Sequence, residues 1–189
     1  DIIFAALKLL RAKRGDRTRW LRQVVLDFSH AFFNFPTRPD ERKYFTTRLK
    51  KSIYVWLRAV QGSRGAPLIC GRALALAMRL VAALLDDGTM NAGTYVDDPL
   101  ISFMGNQAEQ DEAMGLVIGG LLAMGYELAF AKAQDSNEEE VLTWTAARLT
   151  ILHEAEAIKA EVKEETLIDL GEDLEKMCTE SSVEVDSLR

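Results

Sequence analysis

With 189 residues, 48% of them hydrophobic, and a net charge of −6, the chain has the material of an ordinary globular domain with one sizeable core. Its longest apolar run, "ALALAMRLVAALL" at 73–85, is interrupted by Arg79 and too short to span a bilayer, so no membrane segment is expected. Its two cysteines, Cys70 and Cys178, have no companions at metal-ligand spacing, which argues against a zinc site or disulfide framework and for a reducing, intracellular setting, cytoplasmic or nuclear. The charge is unevenly divided. Residues 1–72 hold 16 Lys and Arg against 5 Asp and Glu, and residues 73–189 hold 7 against 24. A basic half interleaved with Trp20, Phe32, Phe33, Tyr44, Phe45, Tyr54 and Trp56 suits a phosphate backbone; a merely solvated basic face would have the same composition.

In chain order, apolar spacing over residues 2–14 predicts a helix that runs into a basic loop at Gly15. The opening Asp1, with no signal-peptide order behind it, leads us to expect a piece of a longer polypeptide. "RQVVLDFSH" at 22–30 is rich in strand formers. Pro39 followed by Asp40 and Glu41 predicts a helix through Lys51, because proline suits a first helical turn and acids suit its positive end. "SIYVWLRAV" at 52–60 predicts a strand. Gly62 and Gly65 break the pattern before an apolar helix from about Pro67 to Asp87, stopped by Gly88.

Two apolar stretches, "MNAGTYV" and "PLISF", then flank Asp97 and Asp98, and a two-residue Asp-Asp turn would join them as a hairpin. Adjacent carboxylates repel, and one pKa rises unless solvent or a cation compensates. The pair is therefore either a solvated turn or half of a metal site. Asn106 with Glu109 forms a capping-box start to a helix ending at Gly125. "VLTWTAARLTIL" at 141–152 predicts a strand, "AIKAEV" a further one, residues 164–178 a helix, and 179–189 a frayed tail. This mixture with a central antiparallel hairpin places the chain in the α+β class. His30 and His153 each stand alone and read as structural.

Five stretches follow one another: "VVLDFSHAFFNFP", carrying Asp27; "VQGSRGAP" at 60–67; "YVDD"; "GYELAFAK"; and "LTWTAARL". In order and approximate spacing they resemble the motifs of the reverse transcriptase family, in particular retrotransposon and retroviral polymerase domains, over about residues 20–155. With 33 residues between Asp27 and Gln61 there is little room for the insertion of telomerase-type relatives, which favours the retrotransposon branch. The resemblance implies a palm-like antiparallel sheet backed by helices. Residues 1–20 would be partial fingers or a lead-in, 21–152 the palm, 153–178 the start of a thumb.

It also implies phosphoryl transfer, in which a primer hydroxyl attacks a nucleotide and pyrophosphate leaves. That chemistry uses two divalent ions ~3.5–4 Å apart, and Mg²⁺ (or Mn²⁺) prefers carboxylate oxygens. By resemblance, Asp27 and Asp97 are metal ligands, Asp98 is their less essential partner, and the Phe28 carbonyl completes the site. Phe32 would select deoxynucleotides by colliding with a 2′-hydroxyl. Gln61, Gly62 and Tyr95 would contact substrate, and Lys132 would give a proton to the departing pyrophosphate. The implied partners are an RNA or DNA template with its primer, deoxynucleoside triphosphates and the remainder of a retroelement polyprotein. Pro99 stands where the family more often has a large aliphatic residue, and Ala146 where the primer-gripping turn usually has glycine. These departures keep open a second reading, a catalytically degenerate relic that only binds nucleic acid or protein. A third, an acidic helical interaction module, draws on residues 150–189, with 12 acids against 4 bases. It requires Asp27 and Asp97 to lie apart.

Overall fold

The strand formers at 20–25, 90–95 and 98–105 assemble into an antiparallel sheet. The computed structural model describes residues 2–12, 16, 18–86 and 88–179; the basic positions 13, 14 and 17, Gly15, Asp87 and most of the expected tail fall outside them. The sheet comprises β1 (Trp20–Val25), β4 (Met90–Tyr95), β5 (Asp98–Gly105) and β6 (Gln134–Asp135), in the order β4-β5-β1-β6. Strand alternation sends Val24, Ile101 and Phe103 to one face, where they pack with Met90 and Ala92 under α2 (Ala66–Ala82) and α3 (Gln107–Ala123). Leu21 and Met104 go to the other face, under α1 (Ile2–Ala12), and Val25 and Leu100 pack there against β7 (Leu142–Trp144) and β8 (Ala147–Leu152). Coverage of both faces explains why β5 is buried from Pro99 to Gly105, with Ser102 as a buried polar residue among apolar ones. Gly93 leaves room for the Ile2 side chain of α1, which would have to move aside for any Cβ at that position.

A three-stranded sheet of β7, β8 and β9 (Ala157–Val162) follows, then α4 (Glu164–Thr179). The helix expected over 2–14, those expected from Pro67 and from Asn106, and the one over 164–178 are all present. The capping box is complete: Asn106 Oδ1 accepts from the Glu109 backbone at 3.1 Å, and Glu109 Oε2 accepts from the Asn106 backbone at 2.9 Å. Among the described residues no helix is long and apolar enough to cross a membrane.

Several expectations need correction, and the strand expected over 52–60 is one, since it ends at Val55. Residues 39–51 form no α-helix; a short 3₁₀ turn at Arg42–Tyr44 leads into an exposed hairpin, β2 (Thr46–Leu49) and β3 (Ser52–Val55). The proline and acids start only a turn, and the β-branched Thr46 and Thr47 then favour extension, with Lys50 at φ +56° making the reversal. Residues 141–152 are two strands, reversed at Thr145, φ +53°. The central hairpin turns one residue earlier than expected: Tyr95 pairs with Asp98, so Val96 and Asp97 are the turn and Asp98 begins β5. The strand over 22–30 ends at Val25, for a reason that bears on the site.

Arg22 lies 6% exposed between β1 and α3, where its charge is matched. Nη1 donates to Asp111 at 2.7 Å, while Nε and Nη2 donate to Asp135. The network joins β1, α3 and β6 across long stretches of sequence. Arg22→Met leaves Asp135 without its main partner, and urea denaturation is expected to show a loss of about 3 kcal/mol, the usual cost of breaking a buried pair from one side. A midpoint unchanged from the native chain would show that the network contributes no net stability.

Candidate active site

The ladder between β1 and β5 stops because of a proline. Leu26 N donates to Pro99 O at 3.2 Å, and a hydrogen-bonded antiparallel pair would return the second bond from residue 99, which has no N–H. Pairing therefore ends at Val25–Leu100 and the chain turns to a new partner. Ser29 N donates to Glu127 O at 2.8 Å and Ala129 N to Asp27 O at 2.9 Å, around a bridge between Phe28 and Leu128. This arrangement uses the backbone groups of residues 27 and 29, not those of Phe28. His30, at φ +55° and ψ 39°, then takes a left-handed turn into a 3₁₀ segment, Ala31–Asn34. The segment from Asp27 to Phe33 thus curls around one concavity.

The opposite wall is the β4–β5 turn. Val96 sits at φ +54°, a conformation that a β-branched residue adopts only where its surroundings enforce it. Gly71 of α2 lies alongside, where an added Cβ would be in ordinary van der Waals contact with Val96 Cα at 3.7 Å. Asp97 follows at the tip. Next to Gly71, the Cys70 thiol is pushed up to about 11, first by burial and then by the charge of Asp97.

Between these walls lies a cavity of about 210 Å³ that brings together Asp27, Asp97 and Lys132 with Phe28, Phe32 and Gln61. Gly62, Tyr95 and Asp98 do not line it. Gly62 serves the backbone, at φ +87°; Tyr95 is exposed on the hairpin; and alternation along β5 puts Asp98 on the same face as Leu100 and Ser102. The sequence reading missed His30 and Phe33, which also line the cavity. The signal available was their distance from Asp27, three and six positions on, within a segment that must turn to leave the sheet. Phe32 packs against the main core, and Phe33 stacks on Trp56 with centroids 6.1 Å apart and planes 1° from parallel.

Lys132 Nζ sits 3.2 Å from Asp27 Oδ2, a cation held against the first carboxylate. The Asp98 carboxyl is raised above its ordinary value, chiefly by burial, then by the charges of Asp97 and Asp27, with Lys132 opposing. Among the described residues no three His, Cys, Asp or Glu side chains converge as a metal cage. Two carboxylates and a backbone carbonyl nevertheless fit Mg²⁺, which keeps several waters and is commonly held by one or two protein carboxylates. In this structure the Lys132 ammonium supplies the positive charge beside Asp27.

The whole constellation falls within residues 10–159, the stretch that matches the family described as reverse transcriptase (RNA-dependent DNA polymerase). The chain belongs to the reverse transcriptase family. No curated protein matches it in sequence. In structure it is similar to the foamy viral protease-reverse transcriptase in complex with RNA/DNA hybrid, with a TM-score of 0.59 and 19% identity over 76% of this chain and 17% of that one. The foamy viral protein in complex with dsDNA gives 0.59 and 18% over 86% and 29%. The native Prototype Foamy Virus Protease-Reverse Transcriptase gives 0.55 and 17% over 75% and 17%. At these identities the likeness is one of fold, and the chain spans less than a third of each of these relatives. Reverse transcriptase family membership disposes of the third sequence reading, as does the shared cavity of Asp27 and Asp97.

The Asp98 shift has a consequence for stability. A carboxyl raised by folding binds more protons in the folded chain than in the unfolded one, so stability falls as pH rises from the ordinary carboxylate value through the raised one. Asp98→Asn removes that loss. Urea midpoints of the variant and the native chain are expected to coincide at low pH and to separate in favour of the variant as pH rises, levelling off above the raised value. A native midpoint that rises more steeply than the variant's over the same range would contradict the assignment.

Proposed function

We propose that this chain is the palm portion of an RNA-directed DNA polymerase from a retroelement, working by template-directed nucleotidyl transfer. The observation that carries the proposal is the convergence of Asp27, from the exit of β1, and Asp97, from the β4–β5 turn, on one cavity in a reverse transcriptase fold. The reverse transcriptase family generally uses divalent metals. Here Asp27, Asp97 and the Phe28 carbonyl would hold two ions, Mg²⁺ or Mn²⁺. When bound, such ions lower the pKa of an attacking hydroxyl and neutralise charge on the leaving group.

The chain's own side chains do the rest. Asp98 supports the pair as an adjacent negative charge. Phe32 has the core at its back and the cavity in front, so its ring is a stiff wall at which a 2′-hydroxyl would collide, admitting deoxynucleoside triphosphates. Gln61 offers both a donor and an acceptor to the nucleotide, beside the permissive backbone of Gly62, and Tyr95 would meet the nucleic acid from the hairpin's outer side. Lys132 lies where a proton could pass to departing pyrophosphate, once it leaves Asp27. Template and primer, RNA or DNA, would lie along the basic first 72 residues. The foamy viral relatives described in complex with RNA/DNA hybrid and dsDNA support that kind of partner. The remainder of a retroelement polyprotein would supply the rest of the fingers and thumb.

The reading of an inactive relic rests on Pro99 and Ala146. Pro99 lies where its missing donor ends the β1–β5 ladder and helps release Asp27 into the cavity. Ala146 lies in a turn whose left-handed residue is Thr145, so no glycine is required there. Both departures are accommodated, which favours the active reading.

Primer extension on a homopolymer template with Mg²⁺ or Mn²⁺ tests it. Asp97→Asn and Asp27→Asn are each expected to lower the rate by roughly 100-fold or more, on the order of the loss when one charge-stabilising group is removed from a transition state. Activity that survives Asp97→Asn rules the mechanism out. In the same assay Phe32→Val is expected to reduce the preference for deoxyribonucleotides over ribonucleotides by at least about 10-fold, as loss of a steric wall does. An unchanged preference would remove Phe32 from that role.

A further inference from the structure

We propose that Trp144 is a positioning residue that tethers the Asp97 turn to the Lys132 segment, with Gln134 holding the tether's other end. The inference deepens the polymerase reading and rests on it for its functional consequence. Its structural part stands on hydrogen bonds and packing.

Trp144 ends β7, and its ring packs in the cluster that contains Val25, Leu100, Leu142 and Leu149. A buried indole usually finds a partner for its N–H. Here Nε1 leaves the apolar cluster and donates to the Asp98 carbonyl oxygen at 3.0 Å, 46 residues back along the chain. The acceptor belongs to the pair that closes the β4–β5 turn, so the bond pins the base of the turn that carries Asp97.

This turn needs pinning. Val96 is left-handed and β-branched, and a conformation of that kind persists only when neighbouring structure over-determines it. Gly71 of α2 lies alongside the turn without a side chain to hold it, and the indole supplies a direct hydrogen bond at its base. The next residue, Pro99, is held through its carbonyl by Leu26, one position before Asp27. Consecutive carbonyls thus connect the turn to the β7–β8 hairpin and to the strand that leads to the other carboxylate.

The far end of the tether is also fixed. Gln134 donates Nε2 to Thr143 O at 3.0 Å and accepts from Thr143 N at 2.6 Å, so its amide grips both backbone groups of the residue before Trp144. Gln134 itself pairs with Val25 in β6, two residues after Lys132. A continuous path of backbone and two side chains therefore sets the distance between the Lys132 segment and the Asp97 turn. Displacing the β7–β8 hairpin would shift both.

The test uses Trp144→Phe, which keeps the ring in its cluster and removes the donor, with Gln134→Ala as a second variant acting at the other end. Hydrogen exchange of the amides at 95–98 is expected to speed up by about fivefold in Trp144→Phe, the population change expected for one lost hydrogen bond. Amides of β1 should keep their native rates. Mn²⁺ affinity, followed by electron paramagnetic resonance, should weaken severalfold, and in primer extension kcat should fall with little change in KM for the template-primer. Gln134→Ala should move the same amides in the same direction. Native exchange at 95–98 in both variants, or a uniform acceleration that includes β1, would overturn the tether and leave Trp144 as packing alone. If the turn loosens as expected while the native chain binds no Mn²⁺, the tether stands and the polymerase reading fails.

Discussion

The arrangement of the site depends on where one antiparallel ladder ends. β1 and β5 pair in register through Val25 and Leu100, and the next pair cannot close because Pro99 has no N–H. If the pairing continued, Asp27 would remain within the sheet. Because it ends, residues 27–29 pair with 127–129 instead, and the chain can turn at His30 to line the cavity. The same proline lies in a central strand, a place that normally excludes it. It is tolerated because its missing donor coincides with the point at which the neighbouring strand departs. A residue that looks damaging in a linear comparison is, in the folded chain, consistent with the site.

Electrostatics divide the molecule into a part that balances its charges and a part that does not. Arg22 is surrounded by Asp111 and Asp135, and the Asp111 carboxyl is held below its ordinary value by its bonds from Gln107 and Arg22. That network joins three elements and asks nothing of a ligand. Around the cavity the balance is reversed: Asp27, Asp97 and Asp98 lie near one another with Lys132 as the opposing charge, and both Asp98 and Cys70 are raised partly by carboxylate neighbours. An arrangement of like charges that the fold only partly compensates is what a cation-binding site requires, and it costs stability.

Much of this was legible in the sequence where a local rule and the tertiary context agree. The capping box at Asn106 and Glu109, the proline-led start of α2, the hairpin around Asp97, and the order of Asp27, "QGSRGAP" and "YVDD" all led to the observed elements and to a cavity shared by Asp27, Phe32, Gln61, Asp97 and Lys132. Where local rules competed, the reading failed. Pro39 with its two acids begins a helix by any local rule, but Thr46 and Thr47 and the reversal at Lys50 make a hairpin. The run at 141–152 alternates well enough for one strand, and a left-handed Thr145 without a glycine to announce it makes two.

By itself the sequence determined the kinds and order of most of the elements, the division into basic and acidic halves, and the resemblance to the family. Those follow from periodicity, capping and motif spacing, which act over a few residues at a time. Which residues meet was decided only by the tertiary structure. The turn tip fell on Val96 and Asp97, one residue earlier than the like-charged pair suggested, because cross-strand register is set by the packing of both sheet faces. His30 and Phe33 entered the cavity because the chain leaves the sheet there, and Trp144 reached Asp98 because β7 packs against β1 and β6 and into the cluster that holds Leu100. No local pattern encodes a contact across 46 residues; that contact exists only once the sheet is folded.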